Sequence, residues 1–315
     1  MDLNPNLQKN LYGFDNLFLD LKNLFDQNKL PNKILFSGQK GIGKCTLAYH
    51  LSNYILSINE IDPYNFEKKI INDANKSFKL VSNNSHPNFY LINLKDEKKS
   101  IGIEQVRKMI NYTNMSSFND GYKIILIDNV ENLNLNSVNA LLKIIEEPNN
   151  KVLFFLIHDI QKKIFDTFKS RCIEFKIFFS NQEKQKILEN LLIYYDLKID
   201  INQLEKIKSF YDSPGIILNL VKLINEAVIG VSNPNLIDVI SNLMEFILRN
   251  KNNTNLNLLQ NTIELFFFQE LKKTNNKSKI SLNYSKVLES LNSFRKYNID
   301  MNNTFYEIKE NIVHG

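Results

Sequence analysis

The heptapeptide Gly38-Gln39-Lys40-Gly41-Ile42-Gly43-Lys44 has the G-x4-G-K spacing that suits an anion-binding turn. Gly38, Gly41 and Gly43 let backbone N–H groups turn inward around phosphate oxygens, and a helix N-terminus behind them adds positive potential. Lys44 can then bridge the β- and γ-phosphates of a nucleotide. A chance glycine turn ahead of a helix is the plain alternative. The apolar run Ile34 to Phe36 before the loop and the helical spacing after it favour the P-loop. One position departs from the pattern. Where Ser or Thr would offer a hydroxyl to Mg²⁺ the chain has Cys45, and a neutral thiol is a poor ligand for a hard cation. Thr46 carries a hydroxyl one residue on, turned by about 100° around the helix, and does not substitute simply. The expectation is phosphate binding with weakened metal-assisted catalysis.

The second constellation is Ile124-Ile125-Leu126-Ile127-Asp128, an apolar strand ending in a carboxylate that could hold Mg²⁺ through water, as a Walker B strand does. A strand-end helix cap is the alternative for Asp128. The next position, where hydrolysing enzymes place a water-polarising Glu, is Asn129, and an amide is no general base. Glu131 follows two residues later and reads as a loop carboxylate. The third is Ser170-Arg171-Cys172, just ahead of the apolar run Ile173 to Phe175. Alone the triplet says little: an exposed Arg is usually a surface charge, and Cys172 reads as a small buried hydrophobe.

The elements that would position these residues alternate. Ile34 to Phe36, Phe89 to Ile92, Ile124 to Ile127 and Leu153 to Ile157 are apolar runs of strand length; Thr46 to Ile55, Ile103 to Tyr112 and Val138 to Ile145 have helical spacing. The pattern predicts a parallel α/β sheet covered on both faces. After about Phe179 only helical periodicity remains. Ser180-Asn181-Gln182-Glu183 reads as a capping box opening a helix to about Tyr195, and a short helical unit reaches about Asn225. Beyond the polar stretch Val231 to Pro234, the segments Leu236 to Arg249, Leu256 to Lys272 and Ser281 to Tyr297 predict a packed bundle.

Composition narrows the class. Hydrophobic residues at 43% and charged residues at 23% of 315 describe a globular chain large enough for two or three domains. Cys45 and Cys172 stand alone, too few for a disulfide framework or a four-thiolate zinc site, so a reducing, cytoplasmic setting is expected. The start MDLNPNLQKN has neither the basic head nor the apolar core of a signal peptide, and no apolar run suits a membrane span. A net charge of +5, with lysines scattered beside acids as from Lys95 to Lys99, fits a solvated surface better than a nucleic-acid patch.

Taken in order, GQKGIGK, SHPNFYLI, IGIEQVRKM, KIILIDNVENLN, NALLKIIEEP and SRC resemble the AAA+ clamp-loader subunits of bacterial DNA polymerase III, nearest to the delta-prime branch, over roughly residues 10–225. NALLKIIEEP, Asn139 to Pro148, is far more specific than the P-loop, which occurs in many unrelated proteins. The resemblance implies an α/β P-loop (AAA+) nucleotide-binding domain with a parallel sheet at 1–179, a small helical lid at 180–226 and an all-α C-terminal collar at 227–315. It implies a hetero-pentameric ring with gamma/tau motor and delta subunits, which loads the sliding clamp on primer-template DNA. Arg171 would be an arginine finger reaching ATP held by a neighbour, a role worth roughly 10³–10⁵ in rate.

The departures select among members. Motor subunits keep a P-loop Ser or Thr, a Walker B Glu and a lid arginine, whereas this chain has Cys45, Asn129 and the lid stretch Asp212-Ser213-Pro214-Gly215-Ile216 without Arg. The sensor position near His158 and Asp159 is also unusual for a motor. Many relatives carry a four-cysteine zinc module before the Walker B strand, but Leu51 to Asp120 contains no Cys, and lone His86 reads as a capping or packing residue. The expectation is a stator with weak or vestigial ATP binding at Gly38, Gly41, Gly43, Lys44, Cys45, Thr46 and Asp128, no zinc, no membrane contact and no ATPase activity of its own. The alternative is a working gamma/tau-like motor or another AAA+ ATPase, with Thr46 and Glu131 restoring the chemistry. A sequence-specific DNA-binding regulator is disfavoured, since no recognition helix or basic cluster stands out.

Overall fold

The computed structural model describes residues 2–94, 100–146, 151–227, 236–250, 256–273, 276–297 and 299–313. The charged stretch Lys95 to Lys99, the polar stretch Val231 to Pro234, and Glu147 and Pro148 of NALLKIIEEP lie outside the described residues.

Five parallel strands form one sheet: β1 (Lys33–Gly38), β2 (Phe89–Ile92), β3 (Lys123–Ile127), β4 (Val152–Asp159) and β5 (Ile173–Ile177), in the order β2-β3-β4-β1-β5. Every residue of β3 and β4 is buried, which is why both read as unbroken apolar runs with no alternation. Side-chain alternation then sorts the strands between two cores. Ile34, Phe36, Ile124, Leu126 and Phe155 face α1 (Asp15–Asp26) and α2 (Lys44–Leu56). Leu35, Ile125, Ile127, Phe154 and Leu156 face α4 (Ile103–Asn114) and α5 (Leu135–Glu146). This is the sheet covered on both faces that the sequence predicts. Two shorter helices, α3 (Lys76–Ser82) and α6 (Asp166–Lys169), complete the run before β5.

The described chain divides into two compact units, Met1–Ile187 and Leu188–Gly315, with the division inside α7 (Asn181–Tyr194). The capping box that opens α7 is formed as read. Ser180 N–H donates to Glu183 at 2.7 Å and Glu183 N–H to Ser180 Oγ at 3.3 Å. These bonds hold the Glu183 carboxyl below its usual range. The second unit is helical: α8 (Ile201–Lys208), α9 (Pro214–Ala227), α10 (Leu236–Asn250), α11 (Leu256–Lys273), α12 (Lys277–Tyr297) and α13 (Met301–Val313). Its core joins Leu243 and Ile247 to Ile263, Val287, Leu291, Phe305 and Ile308. In α9 the Asp212-Ser213-Pro214 stretch forms the entry, with Pro at the first turn, where its missing N–H is no loss, and Ile217 N–H bonded to Ser213 O at 3.1 Å. No helix of the described residues is long and apolar enough to cross a membrane.

Candidate functional site

The sheet register aligns the strand ends. Gly38 of β1 lies opposite Asp159 of β4, and Asp128, one residue past β3, donates its N–H to Ile92 O at 2.9 Å. The P-loop therefore shares the carboxyl edge of the sheet with both carboxylates, where ligands of open α/β sheets bind. The loop needs its glycines for two different reasons. Gly43 adopts φ 97°, a left-handed conformation that favours glycine, and a Cβ on Gly38 would come within 2.7 Å of the Ile177 carbonyl on β5.

Lys44 opens α2 and is only 6% exposed. Its ammonium donates to Gly38 O and Gln39 O, both at 2.7 Å. Burial lowers its pKa, opposed by the charges of Asp159, Asp128 and Glu131. Asp128 is pushed up to about 6, chiefly by burial and next by the charge of Glu131, while Lys44, the Asn129 N–H and Lys40 pull it down. Burial raises the Cys45 thiol well above its usual range, and Asp128 adds to the rise, so the residue after the P-loop lysine is a neutral thiol. Thr46 is half-buried on the same first turn.

Glu131 sharpens the sequence reading. The loop carboxylate belongs to a 3-10 turn, Val130–Asn132, that buries its side chain to 1% exposure. One oxygen accepts the Asp159 N–H at 3.3 Å; the other lies 3.6 Å from the Lys162 ammonium and has no hydrogen-bond partner. The turn is set by Asn129, at φ 58° and ψ 59°, a left-handed conformation that Asn tolerates better than most residues. It folds the chain back so that Glu131 reaches the strand ends. The apolar spacing of Val130 and Leu133, both buried, was the signal that this turn packs inward.

His158 is buried at the end of β4, its Nε2 2.9 Å from Lys162 O and its Nδ1 3.1 Å from Ser37 Oγ. A carbonyl only accepts, so Nε2 carries a proton. His86 has the capping role read for it: its Nδ1 accepts the Asn88 N–H at 3.1 Å.

Arg171 stands apart from this cluster. β5 runs parallel to β1 with Ile173 opposite Ile34, so Arg171 lies at the amino edge of the sheet. The length of β1, Lys33 to Gly38 at about 3.3 Å per residue, puts roughly 17 Å between the two edges. The Arg171 side chain is 37% exposed; its Nε donates to Glu146 Oε1 at 2.7 Å and its Nη1 to Thr167 O at 2.7 Å. Cys172 beside it is half-buried against the second core, and burial pushes its thiol up to about 11.

A P-loop on β1 of a parallel sheet, with an acidic strand end beside it, defines a P-loop nucleotide-binding α/β protein. Residues 14–181 match the family described as DNA polymerase III, delta subunit, and the chain belongs to that family. A DNA polymerase III subunit delta' from Pseudomonas aeruginosa is 29% identical over 143 residues, 44% of this chain and 41% of that one. The subunit delta' of Buchnera aphidicola subsp. Schizaphis graminum is 31% identical over 191 residues, 61% of this chain and 55% of its own length. A DNA polymerase III subunit gamma from Buchnera aphidicola subsp. Acyrthosiphon pisum is 28% identical over 226 residues, 71% of this chain and 59% of the relative. The chain thus spans about half the length of the relatives it matches.

Proposed function

We propose that this chain is a delta-prime-type clamp-loader subunit of DNA polymerase III. In this reading it is a stationary member of a hetero-pentameric ring with gamma/tau motor and delta subunits, which places a sliding clamp on primed DNA. Residues 1–179 are the AAA+ domain, 180–226 the lid and 227–315 the collar. ATP binding at Gly38, Gly41, Gly43, Lys44, Cys45, Thr46 and Asp128 is weak or vestigial, no zinc is required, and Arg171 acts in trans on nucleotide held by a neighbour. The carrying observation is the position of Arg171, partly exposed at the amino edge and roughly 17 Å of strand away from its own P-loop. In this reading a side chain so placed serves a phosphate on another subunit. The neutral Cys45 thiol and the amide of Asn129 support the same reading, because neither positions metal or activates water.

The test is reconstitution. The isolated chain is expected to show no ATP turnover, and Arg171→Ala should leave ring assembly intact while depressing the DNA-stimulated ATPase of the complete loader. Undiminished activity would remove Arg171 from the mechanism. One observation favours a second reading, the ATP-hydrolysing motor: Glu131 is buried beside Lys44 and Asp128. If the isolated chain hydrolyses ATP, and Glu131→Gln and Lys44→Ala each abolish the activity, the motor reading replaces the stator.

A further inference from the structure

A carboxylate in the last turn of a helix faces the negative end of the helix dipole, so local helix energetics disfavour Glu146 at the end of α5. A residue that works against its own element points to a purpose outside it. Its partner lies 25 residues away in sequence: Glu146 Oε1 accepts from Arg171 Nε at 2.7 Å. Thr167 O, on α6, accepts from Nη1 at 2.7 Å. A guanidinium has five N–H donors in one rigid plane. Two bonds from different elements, through Nε and Nη1, fix that plane and leave the Nη2 edge facing outward from the pair. Side-chain exposures of 37% for Arg171 and 50% for Glu146 leave room for a ligand to approach.

Resting on the reading of Arg171 as a finger in trans, we propose that Glu146 is its positioning residue: the carboxylate holds Nε so that the outer edge of the guanidinium meets a phosphate bound by the neighbouring subunit. An unheld Arg would lose side-chain freedom on every encounter, whereas a pre-oriented one has already lost it. The contact acts through geometry, and an acceptor of the same shape without the charge performs it as well.

The experiment compares Arg171→Ala, Glu146→Ala, Glu146→Gln and the Arg171→Ala/Glu146→Ala double variant. Each is reconstituted with gamma-type and delta subunits, sliding clamp and primed DNA, with ATP turnover and ring assembly measured together. Glu146→Ala should lower kcat about tenfold with little change in KM, as expected of a misaligned group. Glu146→Gln should stay within about twofold of the parent, and Glu146→Ala should add no loss to Arg171→Ala. In the isolated chain, the Arg171 Nε–H should exchange slowly with solvent in the parent and in Glu146→Gln, and quickly in Glu146→Ala. Loss of activity with Arg171→Ala but full activity with Glu146→Ala overturns this proposal and leaves the finger standing. A further loss from Glu146→Ala in the double variant assigns Glu146 to folding or assembly and likewise overturns it. Full activity with Arg171→Ala removes the finger and this proposal together.

Discussion

The two edges of the sheet are built from similar charges and treat them in opposite ways. At the carboxyl edge, Lys44 is turned back onto the Gly38 and Gln39 carbonyls, and three acids, Asp159, Asp128 and Glu131, bear on it from within the same chain. At the amino edge, Arg171 is held by one carboxylate and one carbonyl, with more than a third of its side chain open to solvent. The first edge pairs its cation within the chain and the second keeps donors for something else. Burial is what separates them: an enclosed cation must find its counter-charge nearby, while an exposed one is screened and can be left with spare donors.

Substitutions should divide along the same line, beginning with the enclosed edge. Lys44→Ala strips two carbonyls of a donor and three carboxylates of their shared cation, and should lower the unfolding free energy by about 3–5 kcal/mol without any nucleotide present. Denaturant titration measures it, and the loss should be larger at pH 8 than at pH 5, where Asp128 has taken up its proton. A loss under about 1 kcal/mol would mean that the edge does not depend on Lys44.

Asp128 gives the next effect. Its folded pKa of about 6 stands above the ordinary 3.8, so the folded chain binds the extra proton between those values. Stability from this group is therefore complete below about pH 4 and disappears as pH rises through 6. Asp128→Asn, which cannot titrate, should gain on the parent by about 3 kcal/mol between pH 4 and 7.5, two pKa units at 1.36 kcal/mol each. Parallel melts across that range would show the gap opening, and a constant gap would contradict the burial argument. Smaller still is Asn129→Glu: a left-handed position taken by a longer side chain should lower stability by about 1 kcal/mol. Calorimetry would read that change. Smallest of all, Arg171→Ala should move the melting free energy by no more than about 0.5 kcal/mol, since an exposed pair contributes little. A larger shift would make the amino edge structural as well.

Much of the carboxyl edge was readable from local patterns. Ile34 to Phe36, Phe89 to Ile92, Ile124 to Ile127 and Leu153 to Ile157 all fall on strands, because strands buried on both faces announce themselves as apolar runs. β5 was harder. Its apolar residues Ile173, Phe175 and Ile177 alternate with Glu174 and Lys176, as in a half-exposed edge strand, and the run Ile173 to Phe175 understated its reach to Ile177. The helices α1, α3 and α6 were not picked out. α6 is only four residues long, and short or weakly patterned segments take their helicity from packing, which periodicity does not report. Glu131 was read as a loop carboxylate and Glu146 was not singled out, for another reason: each gains its meaning from a partner brought close by the sheet, Asp159 to one and Arg171 to the other. Sequence spacing carries no trace of such pairs, though a Glu closing a helix was a local conflict open to notice.

The left-handed Asn129 also bears on what this position accepts. A glutamate placed there inherits a backbone conformation suited to a small amide. Accommodating it needs the neighbouring turn to relax as well, and the turn is tied down by buried Val130 and Leu133. The geometry couples position 129 to the turn behind it, so that a longer side chain there acts on both.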